Sequence, residues 1–228
     1  MKKEILHELA LNANGSIIKA KNAQKGEKYF CPVCKSDLIL KKSGNTGKGS
    51  KRPHFAHYTL TENCTNESIL HYSFKIMLLA KIQDNLTKGL PMLLLGKCNH
   101  CNGITRANLL QGVVVIKDEY DMKICRPDLA LIDDKGKVCY AIEIVVTHHP
   151  EDTAIKYYKQ NEILLIKIFV KSEVDLEMIE HNVVIASDFD YCFNPNCSHF
   201  IGGHRPTPQQ ISLERWLYKR TPRRTKRL

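Results

Sequence analysis

The chain has 228 residues, is 43% hydrophobic and carries a formal net charge of +10. That length suits one large domain, or a domain with a small module, and the apolar share suits a packed interior. No apolar run approaches the roughly 18 residues of a membrane span, and no secretory pattern is legible, so a cytoplasmic protein is expected.

In chain order, residues 6–11 and 16–20 read as strands around Asn12-Ala13-Asn14-Gly15, a hairpin turn with glycine where a positive φ is needed. Tyr29-Phe30-Cys31-Pro32-Val33-Cys34 makes a cysteine knuckle, and a strand follows at 38–42. The stretch 43–50 is a polar loop, and His54-Phe55-Ala56-His57 closes a small β module. The chain has nine cysteines, which in a reducing compartment argue for metal ligation over disulfides. Cys31-x2-Cys34 followed by His54-x2-His57 has the ligand types and spacing of a structural zinc site. A module with so little core benefits from a metal. If 54–57 is extended, His54 and His57 point to opposite faces, and Cys64 is the candidate to replace one of them.

Residues 66–86 carry the clearest helical period, through Ile69, Leu70, Ser73, Phe74, Met77, Leu78 and Ile82. Thr65 or Asn66 is the expected cap. Glu67, His71 and Lys75 share one stripe of this helix, a pattern that taken alone is a solvated face but that, combined with acids on the following strands, makes all three catalytic candidates. Strands are expected at 92–95, 109–116, 127–132 and 138–146. A helix at 151–161, opened by Pro150, precedes strands at 164–170 and 183–186. The order helix, antiparallel strands, helix, strand is that of an α/β core with a mixed sheet. Cys98 with Cys101, and Cys192 with Cys197, one pair before and one after this core, form a candidate second zinc site; the alternative is two pairs of buried thiols. Cys125 and Cys139 read as small buried hydrophobes.

Asp133-Asp134-Lys135-Gly136-Lys137 is a hairpin turn between two apolar strands, each of which contains one carboxylate. With Asp133 opposite Val138, Asp128 faces Glu143, with Cβ atoms about 4.5–5.5 Å apart. Two like charges so close repel unless a cation lies between them, and a hard divalent ion with oxygen ligands answers that need. A solvated face, or a register slipped by one residue, is the alternative. Glu67, from a helix laid over the hairpin, is a third carboxylate for one or two Mg²⁺ or Mn²⁺ ions. Residues 205–228 hold Arg205, Arg215, Lys219, Arg220, Arg223, Arg224, Lys226 and Arg227 against Glu214 alone. With Trp216 and Tyr218 this tail suggests a phosphate-binding arm for nucleic acid; a solubilising tail is the plainer reading.

Gly15-Ser16-Ile17-Ile18-Lys19-Ala20, the knuckle of Cys31 and Cys34, His54-Phe55-Ala56-His57 and Glu67-x3-His71-x3-Lys75 occur in the order seen in CoiA-like competence proteins. Arg126-Pro127-Asp128 and Ala141-Ile142-Glu143-Ile144 resemble the nuclease part of that family, a member of the PD-(D/E)XK superfamily. The resemblance spans roughly residues 5–170. It implies a PD-(D/E)XK-type mixed sheet flanked by helices, behind an N-terminal zinc-binding β module. The expected divisions are 1–64 for that module, 65–190 for the nuclease-like core, 191–204 for the second knuckle and 205–228 for the basic tail.

By this resemblance Glu67 is the helix acid, Asp128 and Glu143 bind the catalytic Mg²⁺ or Mn²⁺, zinc is structural, and DNA is the substrate. The superfamily's lysine, two residues after the glutamate, falls here on Val145. That lysine would orient the attacking water and stabilise developing charge. Arg126, brought to the same spot by the expected register, or Lys156 with Gln160 one turn on, are the candidate replacements. His148 and His149 are candidates for proton transfer, or features of a loop. Two rivals are a DNA-binding adaptor that has lost the chemistry and a zinc-organised protein-interaction module.

Overall fold

The computed structural model describes residues 7–42, 52–58, 64–98, 101 and 103–187. Cys192 and Cys197, expected to supply half of a second zinc site, lie outside the described residues. So does the basic tail, with Arg215, Lys219, Arg220, Arg223, Arg224, Lys226 and Arg227.

Five short strands build the first sheet: β1 (Leu9–Asn12), β2 (Ile17–Lys19), β3 (Tyr29–Phe30), β4 (Asp37–Lys41) and β5 (His54–His57), in the order β2-β1-β3-β4-β5. All neighbours are antiparallel. The β1–β2 turn closes because Asn12 Oδ1 accepts the N–H groups of Asn14 and Ser16, and Gly15 supplies φ 75°. Such a conformation costs glycine little and other residues more.

Helix α1 (Asn66–Lys88) starts where Thr65 Oγ1 accepts the Ser68 N–H at 3.0 Å and Ser68 Oγ accepts the Thr65 N–H at 3.0 Å. This reciprocal box satisfies two of the orphan donors at a helix start. Gly89, at φ 63°, ends it in the left-handed conformation typical of helix stops.

The second part of the chain contains β6 (Leu93–Lys97), β7 (Ile104–Asn108), β8 (Val113–Asp118), β9 (Leu129–Asp133), β10 (Val138–Val145), α2 (Asp152–Gln160) and β11 (Leu164–Phe169). A 3₁₀ turn (Glu173–Leu176), α3 (Glu177–Glu180) and β12 (Val183–Ala186) complete it. One sheet runs β11-β10-β9-β8, with β10 and β11 parallel across α2 and the remaining pairs antiparallel. A three-stranded sheet runs β12-β6-β7 and is tied to β11 of the four-stranded sheet by the Ser187 N–H, which donates to the Lys167 carbonyl at 2.8 Å. The architecture is mixed α/β.

The expected strand at 109–116 is broken. The Val113 N–H returns to the Leu110 carbonyl and Gly112 sits at φ 72°, so the chain turns between β7 and β8. The apolar run hid a turn that Gln111-Gly112 provides.

The β9–β10 hairpin also closes differently. Asp133 pairs with Lys137, not Val138: its N–H donates to the Lys137 carbonyl, and its Oδ1 accepts the N–H groups of Lys135 and Lys137. Val138 therefore pairs with Ile132, and the ladder shifts by one before Tyr140 pairs with Leu131 and Ile142 with Leu129. The shift is a bulge, two residues of one strand opposing one of the other. It restores the register in which the next step puts Asp128 beside Glu143.

Strand alternation sorts the apolar residues onto two faces. Leu129, Leu131, Ile142, Ile144, Ile166 and Ile168 join Phe74, Leu78 and Ile82 of α1 in one core that also takes in Leu9, Tyr29 and Phe55 of the first sheet. Ala130, Ile132, Val138 and Ala141 pack with Tyr158 of α2 on the other face. Helix α1 thus serves both sheets, and its N-terminus marks where they meet. None of the described helices is long and apolar enough to cross a membrane.

Candidate metal centre and the adjoining groove

The sulfur atoms of Cys31, Cys34 and Cys64 and a ring nitrogen of His57 lie within 4.8 Å of one another. The knuckle is shaped by its backbone: the Cys31 N–H donates to the Ser36 carbonyl, the Lys35 N–H donates to the Cys31 carbonyl, and Lys35 takes φ 62°. Strand β5 delivers His57, and the approach to α1 delivers Cys64, one residue ahead of the Thr65 cap. Cys31 and Cys64 stand 3.6 Å apart, sulfur to sulfur, and Cys34 Sγ is 3.5 Å from His57 Nε2. Zinc distances of about 2.3 Å to sulfur and about 2.0 Å to nitrogen put tetrahedral corners about 3.8 Å and about 3.5 Å apart, so this donor set fits the ion.

His7, itself buried, shares a 3.3 Å hydrogen bond with His57 Nδ1 and fixes the ring from behind. Burial raises both knuckle thiols, but for Cys34 the Ser36 hydroxyl and N–H, with Cys64 and His57, outweigh it and leave the pKa lowered to about 5. Cys31, more deeply placed, is pushed by burial up to about 12.

His54 stands outside this group. It is buried, and its Nδ1 faces the Arg52 carbonyl at 2.8 Å. The reason is the strand period: three residues apart on β5, His54 and His57 leave opposite faces, and Cys64 occupies the fourth corner.

A groove of about 670 Å³ opens next to this centre. Val33 of the knuckle forms part of its wall, Glu67, His71, Tyr72 and Lys75 of α1 another, and Glu119, Ile144 and His148 line the far side. At its end, Asp128 Oδ2 accepts the Ile144 N–H at 2.8 Å and meets His71 Nε2 at 3.1 Å. The hydrogen bond to Asp128, opposed by burial, raises the His71 pKa above its ordinary value.

Glu143 is half-buried, and Tyr158 of α2 donates to its Oε1 at 2.8 Å. Burial pushes the Glu143 carboxyl up to about 7; Asp128 adds to that, while Tyr158, His71 and the Asp128 N–H hold it down. Glu67 accepts the Thr147 hydroxyl and faces His148 Nδ1 at 3.1 Å. The Thr147 hydrogen bond leads the effects that lower its pKa.

The stretch 13–67 matches the family model for the N-terminal domain of competence protein CoiA. This N-terminal stretch is CoiA-like. No curated protein and no solved structure matches it. The matched stretch contains all four residues of the cysteine–histidine cluster and the first acid of α1.

Beyond that stretch, the chain brings some expected residues together and leaves others apart. Asp128 meets His71, and Glu143 is within electrostatic reach of both, although the three do not gather as closely as the cysteine cluster. Glu67 reaches the same groove but is taken up by Thr147 and His148. Among the described residues the three carboxylates do not come within the 4.8 Å that joins the cysteine cluster.

Lys75 lines the groove and pairs with Glu119. Arg126 is not opposite Val145: β9 begins only at Leu129, and Val145 pairs with Phe169 of β11. The Arg126 and Lys156 side chains are exposed and make no hydrogen bond or ion pair among the described residues. His148 turns to Glu67, while His149 packs edge-on against Phe169 at 5.4 Å.

The expected second zinc site is visible only by half. Cys98 is buried with Cys101 against it, and the Gly103 N–H donates to Cys101 Sγ at 3.4 Å. Cys192 and Cys197 fall outside the described residues, and the metal cluster found among the described ones draws on neither Cys98 nor Cys101. Two thiols alone do not close a tetrahedral site.

Four groups escaped the sequence: His7 behind His57, Glu119 beside Lys75, Thr147 on Glu67 and Tyr158 on Glu143. Only Tyr158 had a legible signal, as an aromatic on the sheet-facing side of α2. The others depend on contacts between segments far apart in the chain.

Proposed function

We propose that this CoiA-like chain is a metal-dependent DNA nuclease of the PD-(D/E)XK kind, with a role in competence-related DNA processing. The observation that carries this reading is the abutment of Asp128 and Glu143 at the end of the β9–β10 ladder. Two carboxylates side by side, one with its pKa pushed up to about 7 by burial, form a site that gains from a divalent cation. The order of helix, antiparallel strands, helix and parallel strand around them supports the same reading.

The donors fit a hard cation. Asp128 Oδ2 is held by the Ile144 N–H and His71, and Oδ1 makes no hydrogen bond among the described residues. Glu143 offers Oε2, with Oε1 occupied by Tyr158. Asp128 and Glu143 would hold Mg²⁺ or Mn²⁺, which when bound polarises the phosphate and activates water. The chain does the rest. The Ile144 N–H aims Asp128, the Tyr158 hydroxyl favours the ionised form of Glu143, and His71 offsets part of the negative charge. Glu67, anchored by Thr147, sits along the groove as the assisting acid. The zinc centre holds the start of α1, and so Glu67 and His71, against the sheet. The basic tail adds grip on the phosphate backbone.

One observation favours the rival adaptor reading: position 145 is a valine only 4% exposed, with no cation in place of the strand lysine. Cleavage assays on plasmid and single-stranded DNA with Mg²⁺ or Mn²⁺, wild type against Glu143→Ala, separate the two. Metal-dependent cleavage lost in the variant is the expected result. Salt-dependent binding without cleavage in the wild type would leave only the adaptor.

A further inference from the structure

Lys75 is the only buried lysine among the described residues, yet it lines an open groove. Its ammonium donates to Glu119, a residue whose side chain is 48% exposed. An ammonium has three N–H donors, and one carboxylate does not exhaust them.

Glu119 is itself held in an unusual way. It sits at φ 45°, which non-glycine residues seldom adopt and which gathers at functional sites. Its N–H donates to the Asp128 carbonyl at 3.1 Å. The residue that positions Lys75 is therefore stapled to the residue carrying the first acid.

A second cation approaches from the cysteine knuckle. Lys35 Nζ donates to the Pro32 carbonyl at 2.6 Å and to the Tyr72 hydroxyl at 3.0 Å. It lies 4.4 Å from the centre of the Tyr72 ring, and Lys75 Nζ lies 5.6 Å from the same centre. Two long side chains that would otherwise roam are fixed around one aromatic ring, which lowers the entropy lost when they bind a ligand. Cations flanking an aromatic side chain suit a nucleic-acid strand, with phosphates on the ammonium groups and a sugar or base against the ring.

We infer that Lys35, Tyr72 and Lys75 form a phosphate-binding ledge for the DNA backbone beside Asp128 and Glu143, and that Glu119 occupies Lys75 until a phosphate replaces it. This rests on DNA being the substrate, and it assigns to α1 the positive charge that Val145 does not supply. The N-terminal module then contributes a substrate contact as well as a fold.

The test uses the full zinc-loaded chain carrying Glu143→Gln, so that DNA is bound and not cut. It is titrated against a fluorescein-labelled duplex and the corresponding single strand over a series of NaCl concentrations. Lys75→Ala and Lys35→Ala are each expected to weaken binding about three- to tenfold and to reduce the salt slope by about one. Glu119→Gln, which removes the competing carboxylate, is expected to tighten binding by a similar factor, and Lys75→Arg to stay within about twofold of its parent. A purely structural ion pair behaves differently: losing either partner lowers Tm and leaves affinity unmoved.

Unmoved affinity in both alanine variants, or weakening by Glu119→Gln as large as by Lys75→Ala, overturns the ledge. A wild-type chain that cuts DNA while these affinities stay level removes the ledge alone. Binding with the expected pattern of signs but no cleavage removes the nuclease reading and keeps the ledge. No binding to either probe removes both.

Discussion

The cysteine cluster and the acidic corner lie on either side of the start of α1, and they are built on opposite principles. At the cluster, soft ligands converge closely enough for an ion to bridge them, with the thiols mostly buried and His7 bracing the ring. At the corner, carboxylates stand at the end of the β9–β10 ladder and along the adjoining groove, each steadied by a neighbour: Asp128 by His71, Glu143 by Tyr158, Glu67 by Thr147. Thiols held protonated by burial, as Cys31 is, pack like small hydrophobes beside one thiolate, whereas carboxylates repel. The first site suits a metal that belongs to the fold, and the second one that comes and goes with substrate.

The largest test of this contrast is at the cluster. Cys31→Ser or Cys64→Ser should abolish zinc binding, read by metal analysis, and lower Tm by about 10 °C or more, since structural zinc contributes folding energy directly. His54→Gln should keep the full zinc content. A chain that loses zinc with His54→Gln and keeps it with Cys64→Ser would reverse the ligand set.

Next comes Glu143→Gln. Cleavage should fall about a hundredfold or more, while stability to urea at pH 8 rises by about 1–3 kcal/mol. The sign follows from a folded-state pKa of about 7, above the ordinary carboxylate value. The folded form favours the proton, so the wild type loses stability as pH rises from the ordinary value through about 7, and glutamine escapes that loss. At pH 4 the difference should vanish. A variant destabilised at pH 8 would show that the carboxylate is not strained by burial.

A smaller effect is expected from Tyr158→Phe. The hydroxyl favours ionised Glu143, so its removal should move the acid limb of the pH–rate profile upward. The rate at pH 7 should drop about threefold while that at pH 9 stays level. An acid limb that stays in place would detach Tyr158 from the chemistry. The smallest change is Thr65→Ala, expected to cost about 1 kcal/mol through the lost cap of α1. Weaker zinc retention in this variant would link the cap to Cys64 beside it.

Much of the fold was legible because it is written in local periods. The stripe from Ile69 to Ile82 marked α1, Thr65 capped it, and 183–186 formed a strand over those residues. The strand at 109–116 failed because an apolar run cannot by itself distinguish one strand from two joined at Gly112. The hairpin is the instructive case. The turn closes one residue away from the expected pairing, and a bulge before Tyr140 returns the register that sets Asp128 beside Glu143. No alternation pattern announces such a bulge.

The sequence alone determined which residue types could bind which ions: the knuckle at Cys31 and Cys34, the opposed faces of His54 and His57, and the acids just before β9 and on β10. These depend on spacing along one helix or strand, where a period of 3.6 or 2 sets the face. Only the tertiary structure decided that Cys64 completes the cluster, that Arg126 stays off the ladder, that Tyr158 meets Glu143 and that Glu119 holds Lys75. Those choices depend on how separate segments are brought together by packing around α1, and no local period encodes the distance between them.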